Sequence, residues 1–294
     1  MNLRQLEVFQ ALMHGGTTKN AARLLLVSQP AVSNTIKQFE DQLGFKLFNR
    51  ISGRLRPTLE AEVLSKNLER VFASVDAIEN LLNDLRDTKV GTMKMVSSPS
   101  LGQTILPPAI AAFARDLPDV KIGFDTLGND TIAAYLDSHQ AHFGLTTTSI
   151  NHPSLESRVL REGRLVCAIP KDHPLARKKF ILPKDLAGTT FISYPRFSPI
   201  GIIVDDAFRE YDEIFRSDVE VRYCYSACKL VNAGVGVAVV DEFALLGDDL
   251  PNIVTRPFRT SSRVAVILSY PKANPLSRLA KLFIDSYLWR HVGQ

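Results

Sequence analysis

The chain has 294 residues, of which 45% are hydrophobic and 22% charged, and a formal net charge of +4. This is the composition of an ordinary globular protein, long enough for a small DNA-sized module and a second domain of about 200 residues, each with its own core. No apolar run reaches the roughly 18 residues a membrane span needs, and the opening MNLRQLEVFQ lacks the charged start and apolar middle of a secretory signal, so a cytoplasmic protein with no membrane partner is expected.

Leu6, Phe9 and Met13 recur at helical spacing and predict an opening helix, stopped by Gly15-Gly16. Thr17 or Thr18 can cap a second helix, in which Ala21, Ala22, Leu24 and Leu25 are small or apolar. After a break at Val27-Ser28, Ser28 is a candidate N-cap for a third helix, and Pro30 suits its first turn because the missing N–H would be unpaired there. Val32, Ile36, Phe39 and Leu43 form one buried stripe, and Gly44 ends the helix. The opposite face carries Gln29, Ser33, Asn34, Lys37 and Gln38. Two tightly joined helices, the second with a short polar face, fit a helix-turn-helix whose second helix enters the major groove. A solvated face on an ordinary three-helix bundle is the alternative.

The stretch FNRISGRLRPT places Arg50, Arg54 and Arg56 around a Ser-Gly turn. A short two-stranded turn with three arginines suits phosphate or minor-groove contact. Residues 1–58 hold eight Lys/Arg against three acids, net +5, whereas residues 59–90 hold four against seven, net −3. A basic head on an acidic stalk points to a polyanion partner for the head.

From Pro57-Thr58 a long helix is expected, with Glu60 and Glu62 in its first turn at the positive end of the helix dipole. Leu64, Leu68, Val71, Val75, Ile78, Leu82 and Leu85 then step alternately by four and three residues. A 3.5-residue repeat held over three heptads is the seam of a coiled coil. At ~1.5 Å per residue, a helix of about 30 residues is roughly 45 Å long and cannot bury such a seam alone. A second copy of the chain is therefore expected along it, with packing against the chain's own C-terminal domain as the alternative. A two-fold protein would read two half-sites.

Beyond Gly91, strands are predicted near 92–97, 120–125, 142–146, 164–169, 190–193, 219–223, 236–240 and 263–269. Helices are predicted near 107–116, 130–138, 199–211, 226–233 and 275–290. This alternation is α/β, and ligands in such folds bind outside the carboxyl ends of strands. Three hydroxyl-rich stretches fall there: SSPS (97–100), TTTS (146–149) and ISYPR (192–196). Asp241 follows the apolar strand VGVAVV, where it can pair with an amino or guanidino group or cap the segment EFALL. Cys167, Cys224 and Cys228 are too few and too odd in number for a disulfide framework. Cys224 with Cys228, and His139 with His142, lack the further ligands of a closed zinc site, so no metal is expected. The GVG at 234–236 precedes a strand and is not a dinucleotide fingerprint.

The run NLRQLEVFQAL…AARLLLVSQPAVSNTIKQFEDQLGFKLFNRISGRLRPT, over residues 2–58, closely resembles the N-terminal signature of LysR-type transcriptional regulators. The likeness continues through the long helix and through LPPAIAAFARDLPDVKI, DHPLA, DLAG and AGVGVAVVD, so it spans essentially the whole chain. It implies an N-terminal all-α winged helix-turn-helix (1–58) plus a long linker helix (59–90) that dimerises the chain. It further implies a C-terminal α/β, periplasmic-binding-protein-like (type 2), two-lobed effector-binding domain (91–294). Lobe I would comprise 91–162 and 267–294, and lobe II 163–266. The partners implied are double-stranded promoter DNA, a small-molecule effector in place of any cofactor, further copies of the chain up to a homotetramer, and RNA polymerase.

By the same resemblance, Gln29, Pro30, Ser33, Lys37, Arg50 and Arg54 match DNA-contacting positions. Asn34 stands where the family often has Arg; it can still read adenine bidentately. Ser98, Ser100 and Thr147 match polar effector contacts, followed by Ser193, and Asp241 offers a charge for an amine. His142 stands where the family often has Asp, and no role is carried over. The likeness is greatest to members answering to amino-acid-type compounds, such as diaminopimelate or opine sensors. Two other classes are weighed against this one. An α/β enzyme would need a nucleophile with a base and an orienting partner, and no such signature or catalytic residue is found. A solute-binding protein for transport is disfavoured by the missing export signal and the basic head.

Overall fold

Asn2 and Gln5 cap each other: Asn2 Oδ1 accepts from the Gln5 N–H and Gln5 Oε1 from the Asn2 N–H, both at 2.9 Å. This box starts α1 (Leu3–Gly15), which stops where Gly16 turns left-handed. Thr17 rather than Thr18 caps α2 (Thr18–Leu24), its Oγ1 accepting from the Asn20 N–H at 3.1 Å. Ser28 caps α3 (Gln29–Leu43), with Pro30 in the first turn and Gly44 (φ +78°) closing the helix. Val32, Ile36 and Phe39 are buried, and the Phe39 ring meets Phe9 of α1 edge-on at a centroid distance of 6.4 Å. The turn between α2 and α3 passes through Leu26 at φ +54°. That conformation costs a non-glycine residue roughly 1–2 kcal/mol, so the reversal is imposed by the packing of the two helices.

Buried Glu40 accepts from the Leu47 and Phe48 N–H groups at 2.9 and 3.2 Å and from Lys46 Nζ at 2.6 Å. It thereby launches β1 (Phe48–Ile51), which pairs antiparallel with β2 (Arg54–Pro57). Thr58 ties the end of this wing to its beginning, its N–H donating to Leu47 O at 2.9 Å and its Oγ1 at 3.2 Å. The same Oγ1 accepts from the Ala61 N–H at 3.2 Å and so begins α4 (Leu59–Leu85).

The computed structural model describes residues 1–51, 54–85, 90–213, 217–247 and 250–292. Two units result, Met1–Asp76 and Ala77–Gln294. The heptad stripe of α4 is divided in use. Leu68 is buried, and Leu64 partly buried, against the core of the first unit, together with Phe72, which the repeat omits. Val71, Ile78 and Leu82 are 42%, 59% and 47% exposed. The side chain of Leu85 lies outside the described residues. The lower part of the predicted seam is thus spent on the chain's own head.

In the second unit, β3 (Gly91–Ser97) pairs in parallel with β4 (Val120–Thr126) and β5 (Phe143–Thr146). The connections contain α5 (Pro99–Gln103), α6 (Leu106–Asp116) and α7 (Asn129–Asp137). The chain then runs through β6 (Leu155–Pro170), β7 (Phe191–Ser193), α8 (Pro199–Arg209), β8 (Val219–Glu220), α9 (Cys224–Asn232), β9 (Val237–Asp241), β10 (Ile253–Pro257) and β11 (Arg263–Pro271). Up to Arg164, β6 pairs with β11; from Leu165 it pairs with β9, and β10 lies on its other side. One strand therefore serves two lobes, the first built on β3, β4, β5 and β11 and the second on β7 to β10. The chain ends with α10 (Arg278–Phe283), a π-helical turn (Ile284–Leu288) and α11 (Trp289–Val292), which return to the first lobe. There Phe283 packs edge-on to Phe113 at 5.3 Å and beside Phe143 at 6.0 Å.

The strand predicted at 164–169 begins at Leu155, because residues rich in exposed charge are recruited by pairing with β11. The strand predicted at 219–223 is only two residues long, and 221–223 instead line a cleft between the lobes. Among the described residues, no helix is long and apolar enough to cross a membrane.

Candidate functional site

On α3, the buried stripe turns the remaining side chains outward together. Gln29, Pro30, Ser33, Asn34 and Lys37 are all exposed on this helix. The face is short and offers two amides, a hydroxyl and one cation, groups suited to base edges and phosphates. The side chains of Arg50 and Arg54, and Ser52-Gly53 where a turn was expected, lie outside the described residues, whereas the backbones of both arginines belong to the wing strands.

In the second unit a cavity of about 370 Å³ opens between the lobes. Lobe I supplies Ser98 and Ser100 at the end of β3, residues 127–131 after β4, and Thr147 and Thr148 after β5. Lobe II supplies Pro195 and Phe197–Ile200 from one turn and the run Glu220–Cys224, with Asp241 at the end of β9. The first of these turns is held tightly. Ser198 Oγ donates to Pro195 O at 2.7 Å and accepts from the Gly201 N–H at 3.1 Å. A Cβ on Gly201 would stand 2.1 Å from Pro195 O, so only glycine fits there. Opposite, Asn129 Nδ2 donates to Thr148 Oγ1 at 2.7 Å and fixes the loop after β5.

Three buried hydroxyls among the described residues have no partner: Ser98 Oγ, Thr146 Oγ1 and Ser193 Oγ. Of these only Ser98 lines the cavity. Ser100 Oγ donates to Asp241 Oδ2 at 2.7 Å, while Asp241 Oδ1 accepts from the Ala244 N–H at 2.9 Å and caps the 3-10 turn Glu242–Leu245. Burial pushes the Asp241 carboxyl above the usual carboxylate range, and its bonds from Ser100 and Cys224 pull it back down. Burial likewise raises the Cys224 thiol and the Tyr194 phenol. Tyr194 Oη donates to Val239 O at 2.8 Å. The floor of the cavity is thus a buried, hydrogen-bonded layer of Ser100, Cys224 and Asp241, while Asp130, Glu220 and Arg222 at its walls are exposed.

The cavity brings together Ser98, Ser100, Thr147 and Asp241. Ser193 is wholly buried at the end of β7 and is not part of the lining. Asp241 was expected to meet an amine or to cap EFALL; both its oxygens are already engaged, one of them in that cap. His142 Nδ1 accepts from the Lys94 N–H at 3.2 Å, a contact within the first lobe. Sequence reasoning missed Asn129, Glu220, Arg222 and Tyr223. The run GND at 128–130, a glycine followed by two polar residues after a strand, carried a signal for the first; the other three carried none. No group of three or more His, Cys, Asp or Glu among the described residues is placed to hold a metal ion.

Residues 3–62 match the family described as bacterial regulatory helix-turn-helix protein, lysR family, and residues 86–289 match the LysR substrate binding domain. The chain is 32% identical over 283 residues to the transcriptional activator protein LysR of Escherichia coli (strain K12), covering 96% of this chain and 91% of that one. It is 31% identical over 261 residues to the octopine catabolism/uptake operon regulatory protein OccR of Rhizobium meliloti, covering 88% and 85%. Full-length CbnR in complex with its target DNA has the same fold, with a TM-score of 0.74 at 20% identity over 100% of this chain and 99% of that one.

Proposed function

The chain belongs to the LysR family of bacterial helix-turn-helix regulators, and on that premise we propose how its parts divide the work. It is a DNA-binding transcriptional regulator with an effector-binding domain, and not an enzyme. Residues 1–58 act on promoter DNA, 59–90 join two copies, and 91–294 sense the effector, with lobe I at 91–162 and 267–294 and lobe II at 163–266. Gln29, Pro30, Ser33 and Asn34 face base edges in the major groove, and Lys37, Arg50 and Arg54 meet phosphates. The exposed Val71, Ile78 and Leu82 of α4 support a dimer through this helix, and pairs of dimers form a tetramer. RNA polymerase is a further partner at the promoter, and the site of action is the cytoplasm.

The effector is an amino acid or a related carboxylate held between the lobes. The observation that carries this reading is Ser98 Oγ, a buried hydroxyl that lines the cavity and lacks a partner. An unsatisfied buried hydroxyl costs roughly 1–3 kcal/mol, which a ligand carboxylate accepting from it and from Thr147 would recover. The ammonium group is met by Asp130 or Glu220 rather than by the occupied Asp241. The relative OccR, named for an octopine operon, supports a ligand of this type. Binding shifts a pre-existing equilibrium between arrangements of the oligomer and so changes the DNA contact.

The test is calorimetric titration of the full chain with α-amino acids, diamino acids and their N-conjugates, coupled to footprinting on the promoter region beside its gene. An amino acid that binds and alters the footprint supports the reading. Binding confined to compounds without a carboxylate would contradict it.

A further inference from the structure

Gln29 Nε2 donates a hydrogen bond to Thr18 Oγ1 at 3.1 Å. This contact links the first residue of α2 to the first residue of α3 across the turn. The Thr18 hydroxyl is free for it because Thr17, not Thr18, caps α2. Gln29 is exposed on the outward face of α3, and Thr18 is half-buried beside it.

We infer that Thr18 is a positioning residue that fixes the base preference of Gln29. A glutamine amide has two N–H donors and one carbonyl acceptor. With one N–H held by Thr18, the amide keeps one N–H and one oxygen for the groove. One donor beside one acceptor is the complement of adenine, which presents the N7 acceptor and the N6–H₂ donor. Guanine presents two acceptors, N7 and O6, and would meet the carbonyl oxygen with repulsion. A free amide could turn over and offer guanine both N–H groups; an amide tethered to Thr18 is held in the adenine orientation. In water such an exposed bond is worth little, but it strengthens when the interface excludes solvent. The O–H of Thr18 remains free to donate to a phosphate oxygen, which would orient the hydroxyl as an acceptor toward Gln29.

This inference rests on the reading that α3 lies in the major groove, and the experiment separates the two. Duplexes are selected from a randomised pool by the full chain, and A·T is exchanged for G·C at each position of the selected half-site. The wild type, Thr18→Val, Thr18→Ser and Gln29→Ala are then compared. The expected result is a position where the wild type prefers adenine over guanine by about tenfold or more and Gln29→Ala has lost the preference. There Thr18→Val brings the ratio close to one, Thr18→Ser keeps it, and preferences at other positions and the salt slope stay unchanged. Thr18→Val has no further effect on this ratio in the Gln29→Ala background. Full discrimination by Thr18→Val would overturn the inference, as would a loss spread evenly over all positions, the mark of a distorted head. Selection of no sequence, or of one insensitive to Gln29→Ala, would instead overturn the placement of α3.

Discussion

Ser100 Oγ lies 2.7 Å from Asp241 Oδ2 and donates to it, so that a hydroxyl of the first lobe and a carboxyl of the second meet at the floor of the cavity. Both groups are buried, and their hydrogen bond spans the cleft. Its partners come from elements 141 residues apart in sequence.

Ser100→Ala removes the donor and leaves Asp241 Oδ2 buried without it. A loss of about 1–3 kcal/mol in the stability of the second unit is expected, read by urea denaturation. Affinity for promoter DNA in the absence of effector stays within a factor of two or so, while the effector response is blunted. Undiminished effector affinity and an unchanged response in calorimetry and footprinting would remove Ser100 from the switch.

Asp241 makes stability depend on pH. Burial holds its carboxyl above the usual value of 3.8 in the native chain. Between that value and the native one, the folded state binds more protons than the unfolded state, so stability falls as pH rises through this window. Asp241→Asn removes that slope. Its Oδ1 can still accept from Ala244, and its amide can donate to Ser100 Oγ, which reverses its role and accepts. Denaturation midpoints between about pH 4 and 8 check this; an equal slope in the variant would assign the effect elsewhere.

Glu40 ties α3 to the wing. Glu40→Ala leaves the Leu47 and Phe48 N–H groups without their acceptor, at a cost of roughly 2–4 kcal/mol for the pair. Glu40→Gln keeps Oε1 for both and loses only the charge that faces Lys46, so it is far milder. Thermal denaturation of the two variants should rank them so; equal losses would mean that the charge, not the acceptor, holds the wing.

Ile78→Asp, with Leu82→Asp as a second variant, places a charge on the exposed apolar face of α4. Sedimentation velocity is expected to show smaller species than the wild type, with the circular dichroism of the chain retained. An unchanged sedimentation coefficient in both variants would argue that copies do not meet along this face.

Much of this architecture is legible in the sequence because it is written in local pattern. The stripe Val32, Ile36, Phe39 and the caps Ser28 and Gly44 define α3 without any tertiary information. The heptads of α4 were equally plain, but a 3.5-residue repeat cannot say what covers it, and Leu68 turned out to face the chain's own head. β10 and the first half of β6 were invisible because their pairing is supplied by distant strands: residues 155–164 carry exposed charged side chains and become a strand only against β11. The cavity was half legible. Ser98, Ser100 and Thr147 stand at strand ends, where α/β folds place ligands. Glu220, Arg222 and Tyr223 lie in a segment that reads as strand and lines the cleft only because β8 stops after two residues.

The central claim is that the exposed face of α3 grips the phosphate-flanked groove of a duplex, and the salt dependence of binding tests it most directly. Dissociation constants for the selected duplex, measured against salt concentration for the wild type and Lys37→Ala, should give a logarithmic slope smaller by about one in the variant. Identical slopes would show that Lys37, and with it this face of the helix, does not approach the DNA.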